Sequence, residues 1–216
     1  MADEVRIRTY EPRDRAAVRR LCCETALRGE PVDRLFSDRE VVADLLTRYY
    51  TDDEPEAAWV AECEGRVVGY LIGCLDRRRY QRLQTARVIP GASLRAIAGG
   101  ALCRGETWRL LRAALHMWRM GKAGPRIPDD YPAHLHVNLE RAWRGRQIGE
   151  RLVEPFLRQA GAARLRGVYA SVRGDNPSAR RFFERLGFAP VATSFVTFPA
   201  GAALETYETV VYGKRL

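Results

Sequence analysis

Lysine is nearly missing from this chain. Only Lys122 and Lys214 are lysines, so 34 of the 36 basic residues are arginines, and the net charge is +9 over 216 residues. Two origins fit such an excess: the base composition of the gene, or an anionic partner that guanidinium forks grip well. Nucleic acid is not the expected partner. Acidic residues are interspersed along the whole chain, and aromatics do not interleave a basic stripe. The five cysteines (Cys22, Cys23, Cys63, Cys74, Cys103) form no Cys-x-x-Cys pair and keep no metal-like spacing to histidine. Most sit in apolar runs, which predicts reduced core thiols and no metal. No run approaches the ~18 apolar residues of a membrane span. The Met-Ala-Asp-Glu start lacks an apolar signal segment, so a cytoplasmic location is expected. No Pro/Gly/Ser linker divides the chain and nothing repeats. At 46 % apolar it can bury one good core, and a single domain over 1–216 is expected.

What is there alternates between helix and strand signals. Val5 to Tyr10 reads as a strand, and Asp14 can cap a helix to about Leu27. Asp38 opens a second helix that reaches Tyr49, broken by the polar group Thr51 to Pro55. Ala57–Cys63 and Arg66–Leu75 read as strands joined by Glu64-Gly65, a tight hairpin signal. An inserted helical segment, 76–130, then interrupts the sheet. Its Arg77-Arg78-Arg79 run is expected to be solvated. Ser93 to Ala98 suggests a short helix, and Glu106 to Met120 a better one, with Trp108, Leu111, Leu115 and Trp118 on one face. Three readings of that helix stand side by side: a cover for the sheet, a lid over a pocket, or a membrane-surface helix.

The region from His134 to Phe188 carries the chemistry. His134 to Leu139 alternates as a strand, with Leu135, Val137 and Leu139 on one face and His134, His136 and Asn138 on the other. Arg144-Gly145-Arg146-Gln147-Ile148-Gly149 leaves that strand and opens a helix. Backbone N–H groups at a helix start, with flanking arginines, suit a pyrophosphate. Gly167 to Val172 is the next strand. Asp175-Asn176-Pro177 then starts a helix with Ala179, Phe182, Phe183 and Leu186 inside, closed by Gly187. Asn176 is either an N-cap or a ligand contact. The last two strands, Phe188 to Phe198 and Glu205 to Lys214, form a hairpin.

The pattern Asn-x-x-Ala-x-x-Phe-Phe-Glu-x-Leu-Gly-Phe, about thirty residues after an Arg-x-x-x-x-Gly turn, resembles the Gcn5-related N-acetyltransferase (GNAT) superfamily. The resemblance is strongest over His134 to Phe188, and the order of the flanking elements agrees with it. It implies an α/β fold with a mixed sheet of about seven strands, flanked by helices and splayed between strands 4 and 5. It also implies acetyl-CoA as co-substrate. Residues Arg144, Gly145, Arg146, Gln147, Ile148 and Gly149 would hold the pyrophosphate. The backbone of Val137 and Leu139 would line the thioester, and Asn176 would bond the pantetheine arm. Gln147 departs from the pattern by standing where a glycine is usual. Phe183 departs further: it stands where the family often has a tyrosine that protonates the leaving thiolate. Ser171 replaces a glutamate used by some peptide-acetylating members.

His134-Leu135-His136 resembles the His-x-His of the arylalkylamine acetyltransferases, which makes His136 and His134 the candidate bases; the other reading packs both under the insertion. No third ligand is spaced for a metal. The expected activity is direct attack of a small-molecule amine or amino sugar on acetyl-CoA. The alternative is a catalytically silent module that binds a CoA-type ligand or a protein partner. A homodimer is left open.

Overall fold

The computed structural model describes residues 4–26, 31–32, 37–119, 126–200 and 203–216. Strands β1 (Arg6–Thr9), β2 (Ala58–Cys63), β3 (Arg66–Cys74), β4 (Ala133–Leu139), β5 (Gly167–Arg173), β6 (Ala189–Ala200) and β7 (Ala203–Arg215) form one sheet. Its order is β1-β2-β3-β4-β5-β7-β6. All neighbours are antiparallel except β4 and β5, which run parallel. The expected mixed sheet of about seven strands is therefore present. Glu64 and Gly65 both take positive φ (50° and 76°), which matches the twist of a two-residue hairpin between β2 and β3.

Helix α1 (Arg15–Thr25) covers one face of the sheet, with α2 (Arg39–Arg48) packed against α1, and α6 (Ile148–Ala162) and α7 (Pro177–Arg185) cover the other face. The strand alternation sorts the two cores. Leu135 of β4 packs with Ile148, Leu152 and Phe156 of α6, while Tyr70 and Ile72 of β3 pack with Val18 and Leu21 of α1. A Cβ at Gly73 would run into the Phe156 ring, so glycine there lets α6 lie flat on β3. Fully burying that ring stabilises the fold by about 2 kcal/mol.

The capping predictions divide. Asp38 accepts from Val41 N at 3.1 Å and starts α2 as expected. Asp14 sits before α1 but makes no cap bond; its carboxylate instead takes both Arg8 guanidinium nitrogens, at 2.6 and 2.8 Å. Gly187 closes α7 with φ 79°, and Phe188 N returns to Phe183 O at 3.0 Å. The predicted reach of α1 to Leu27 lies outside the described residues.

Between β3 and β4 run α3 (Arg77–Leu83), α4 (Ile89–Ala98) and α5 (Gly105–Arg119). The arginine run expected to be solvated is the first turn of α3. Asp76 caps it by accepting from Arg78 N and Arg79 N, and Arg77 turns inward to donate to Ile127 O at 2.9 Å. The helix expected over Ser93–Ala98 begins earlier, at Ile89. In α5, Trp108 and Leu115 are exposed, not packed on the sheet. The side chains of Leu111 and Trp118 lie outside the described set. Cys22, Cys23, Cys63 and Cys74 are buried free thiols, whereas Cys103 is exposed, against the expectation of a core thiol.

Candidate active site

Strands β4 and β5 pair at only two positions, Ala133 with Val168 and His134 with Tyr169. Beyond them the strands diverge, and backbone groups on facing edges lose their sheet partners. A cleft of about 730 Å³ opens there between the end of β4, the start of α6 and the exposed face of α7. Val137 and Leu139 line it, as do Arg144, Gly145, Gln147, Ile148, Gly149 and Asn176. Sequence reasoning named all eight.

The turn from β4 to α6 gives the cleft its anion-binding end. Gly145 (φ 76°) and Gln147 (φ 59°, ψ 8°) are both left-handed, and Gln147 occupies the N-cap position without a side-chain cap. The first N–H groups of a helix have no intrahelical acceptor, so those of Ile148, Gly149 and Glu150 remain to meet an anion. Alternating backbone handedness folds successive amides into a concave nest. Gly149 is buried at the base of this nest; a Cβ there would stand 3.0 Å from the Phe182 ring. Arg144 lines the cleft and donates from Nε to Leu139 O at 3.2 Å. Arg146 does not come to the cleft: its guanidinium stacks over Trp143, 4.9 Å from the ring centre.

Sequence reasoning missed the opposite wall. Ser178, Arg181, Phe182 and Arg185 of α7 face the nest, and Arg185 lies 3.6 Å from Glu150 of α6. The spacing of 178, 181, 182 and 185 is one helical face, a signal available in the sequence. Asn176 is an N-cap and also lines the cleft. Its Oδ1 accepts from Ala179 N at 3.0 Å as an N-cap, which leaves Nδ2 on the cleft side. Asn138 also reaches the cleft, held by its Nδ2 donating to the buried Tyr70 hydroxyl at 2.8 Å.

The two histidines lie on the other face of β4, and they differ. His134 is 3 % exposed, and its Nε2 lies 2.7 Å from the Tyr50 hydroxyl. Tyr50, Tyr80 and Tyr169 surround its ring, with centroids 5.7, 4.8 and 5.3 Å away. His134 is therefore enclosed by protein side chains. Burial holds its pKa well below the ordinary imidazole value, with neighbouring His136 and Arg77 adding to the effect. His136 is exposed, beside the point where β4 leaves β5. Desolvation by the protein packed around it lowers its pKa to about 4, and its contact with solvent limits that effect. Both imidazoles are neutral at physiological pH. Among the described residues, no three His, Cys, Asp or Glu side chains gather into a metal site.

A sequence profile of the acetyltransferase (GNAT) family matches residues 23–188. The chain belongs to that family. Solved structures of similar fold agree with the assignment. The crystal structure of SsHAT is 27 % identical, with a TM-score of 0.70 and 98 % of each chain covered. An N-acetyltransferase from Staphylococcus aureus Mu50 is 11 % identical, with a TM-score of 0.59 and 98 % of each chain covered. The yncA protein of Salmonella typhimurium, solved with its cofactor acetyl-CoA, is 13 % identical with a TM-score of 0.58, over 98 % of this chain and 93 % of that one.

Within this GNAT framework the departure at 183 is structural as well as chemical. Phe183 is 5 % exposed; it meets Phe182 and Phe188 edge-on and stacks on Tyr212, with centroids 5.0, 5.3 and 6.3 Å away. It closes the cleft floor with a ring that has no proton to give. Behind it, the Tyr212 hydroxyl donates to Glu184 at 2.8 Å and accepts from Arg180 at 3.1 Å, so that phenol is already engaged.

Proposed function

We propose that this protein is an acetyl-CoA-dependent N-acetyltransferase acting on the primary amine of a small molecule or amino sugar. The observation that carries the reading is the uncapped, glycine-floored nest at residues 144–149, which opens into the gap between β4 and β5. Its amides and Arg144 would hold the pyrophosphate of CoA. Arg181 and Arg185 add positive charge on the facing wall, part of it offset by Glu150 beside Arg185. The Nδ2 of Asn176 would donate to the pantetheine arm, and Val137 and Leu139 would border the thioester with their strand-edge amides.

Acetyl-CoA supplies the activated acetyl group, which a neutral amine attacks directly. The chain's contribution is to orient both reactants and to offer β4 N–H groups to the developing oxyanion. His136 is the residue placed to take the amine proton. Its lowered pKa leaves it neutral at physiological pH, and it stands at the divergence of the strands on the face away from α6. His134, enclosed behind it, acts as a positioning residue through Tyr50. None of the five cysteines lines the cleft, which supports direct transfer over an acyl-thiol route.

A second reading has one observation in its favour: Phe183 leaves the usual acid position without a donor. In that reading the cleft binds a CoA-type ligand and turns nothing over. Calorimetry with acetyl-CoA, followed by thiol release over a panel of amines, separates the two. Binding with turnover of at least one amine supports the transferase. Binding without turnover of any supports the silent module, and absence of binding removes both.

A further inference from the structure

The +9 charge is not spread over the molecule. Residues 77–119 hold ten arginines against one acid, Glu106, an excess of nine that equals the charge of the whole chain. The remaining residues balance. Arg87, Arg95 and Arg104 pair with Asp53, Asp44 and Asp38 of the main body and so fasten this segment in place. Arg78, Arg82, Arg112 and Arg119 are exposed and have no carboxylate partner among the described residues.

The same segment carries most of the exposed large apolar side chains. Ile89, Leu94, Ile97, Leu102, Trp108 and Leu115 are 43 to 69 % exposed, while only three other large apolar residues of the described chain stand out to that degree. Leu94 and Ile97 are three apart on α4, and Trp108 and Leu115 are two turns apart on α5, so each pair shares a helix face. The Trp108 Nε1 donates to Leu102 O at 3.0 Å, which satisfies the one polar atom of that ring without water. Apolar faces rimmed by arginine, with a tryptophan among them, match the chemistry of a headgroup layer: apolar atoms enter the acyl boundary and guanidinium groups meet lipid phosphate. No helix here is long and apolar enough to cross a membrane, so contact would be flat on the surface.

We infer that the α3–α5 segment docks this protein on an anionic lipid surface. Charge argues against a second copy, and the apolar faces argue against nucleic acid. A second copy related by a two-fold axis would bring the same cationic face against itself. Nucleic acid would answer the arginines but leave Leu94, Ile97 and Leu115 uncovered.

Sedimentation with lipid vesicles tests this. The protein pellets with vesicles containing phosphatidylglycerol, stays in solution with phosphatidylcholine alone, and is released by raised salt as the Debye length contracts. Arg82→Gln/Arg112→Gln and Leu94→Ser/Ile97→Ser each weaken vesicle binding about tenfold or more, since both charge and apolar insertion contribute. Neither changes melting temperature or acetyl-CoA affinity. Cys103 is the one exposed cysteine of the five, and a polarity-sensitive dye on it shifts to shorter wavelength with the anionic vesicles only. Three results overturn the inference: failure to pellet, full binding by the Leu94→Ser/Ile97→Ser variant, or vesicle-free self-association that this variant abolishes. The last assigns the face to a second copy.

Discussion

Gly149 is the residue on which phosphate binding turns. Its amide opens into the nest, and its missing side chain lets the Phe182 ring approach. Gly149→Asp places a carboxylate beside the pyrophosphate position, and calorimetry should find acetyl-CoA affinity lost. Gly149→Ala isolates the steric part: the ring must yield a few tenths of an ångström, and most affinity survives. Equal affinity in all three forms would show that no phosphate lies there. Gln147 tests the same turn from the other side. A side chain in the left-handed region costs about 1 kcal/mol, so Gln147→Gly should raise chemical-denaturation stability by up to about that much and keep acetyl-CoA binding. His134 gives a pH dependence. Its pKa is lowered in the folded state, so the unfolded chain binds more protons below pH ~6.5. The stabilisation is fully present above that value and is lost as pH falls. Melting temperature should therefore decline between pH ~6.5 and ~5, above the carboxylate range. His136, whose pKa is also lowered, titrates with the same sign, so His134→Gln should reduce that slope without abolishing it; an unchanged slope would mean the decline belongs to His136 and other groups.

At the scale of elements, α2 is tied to its neighbours through one buried carboxylate. Asp44 is 2 % exposed; its Oδ1 takes Arg19 of α1 at 2.6 Å, and Arg95 of α4 lies 2.9 Å from its Oδ2. Asp44→Ala leaves the buried Arg19 with Glu40, 2.6 Å away, as its remaining carboxylate, and should cost about 2 kcal/mol in denaturant unfolding through the lost charged hydrogen bond. Arg95→Ala leaves the inner pair intact and should cost well under half of that. The same elements show where sequence reading succeeds. β4, its turn and α6 were legible because period-2 alternation, glycine and helix-start chemistry are local. The two histidines were legible as a pair on one strand face, but not as one enclosed and one open. What encloses His134 is Tyr50, 84 residues away, and Tyr80 from α3, an element the arginine run disguised as solvated chain. The position of Arg146 was not legible for a similar reason: Trp143, three residues back, offers its ring face to the guanidinium. Periodicity assigns a face to each side chain and leaves unsaid what will cover it.

At the scale of the molecule, the sheet is two antiparallel groups, β1 to β4 and β5 with β7 and β6, joined edge to edge by two residue pairs. Helix α6 bridges them through Leu152 and Phe156, but the open end of the join has no direct strand contact. A ligand seated there touches β4, the start of α6 and α7 together, so it should act as a clasp between the groups. Binding at a hundred times Kd adds about 2.7 kcal/mol, which for a chain of this length is a rise of roughly 5–10 °C in melting temperature. Hydrogen exchange should locate the gain. Acetyl-CoA should slow exchange at 137–139, 144–150 and 176–185, and leave α4 and α5 as they were, because the cleft lining includes no residue of 77–119. Protection that instead appeared across α4 and α5 would make that segment a lid on the cofactor, and would count against a surface kept free for lipid.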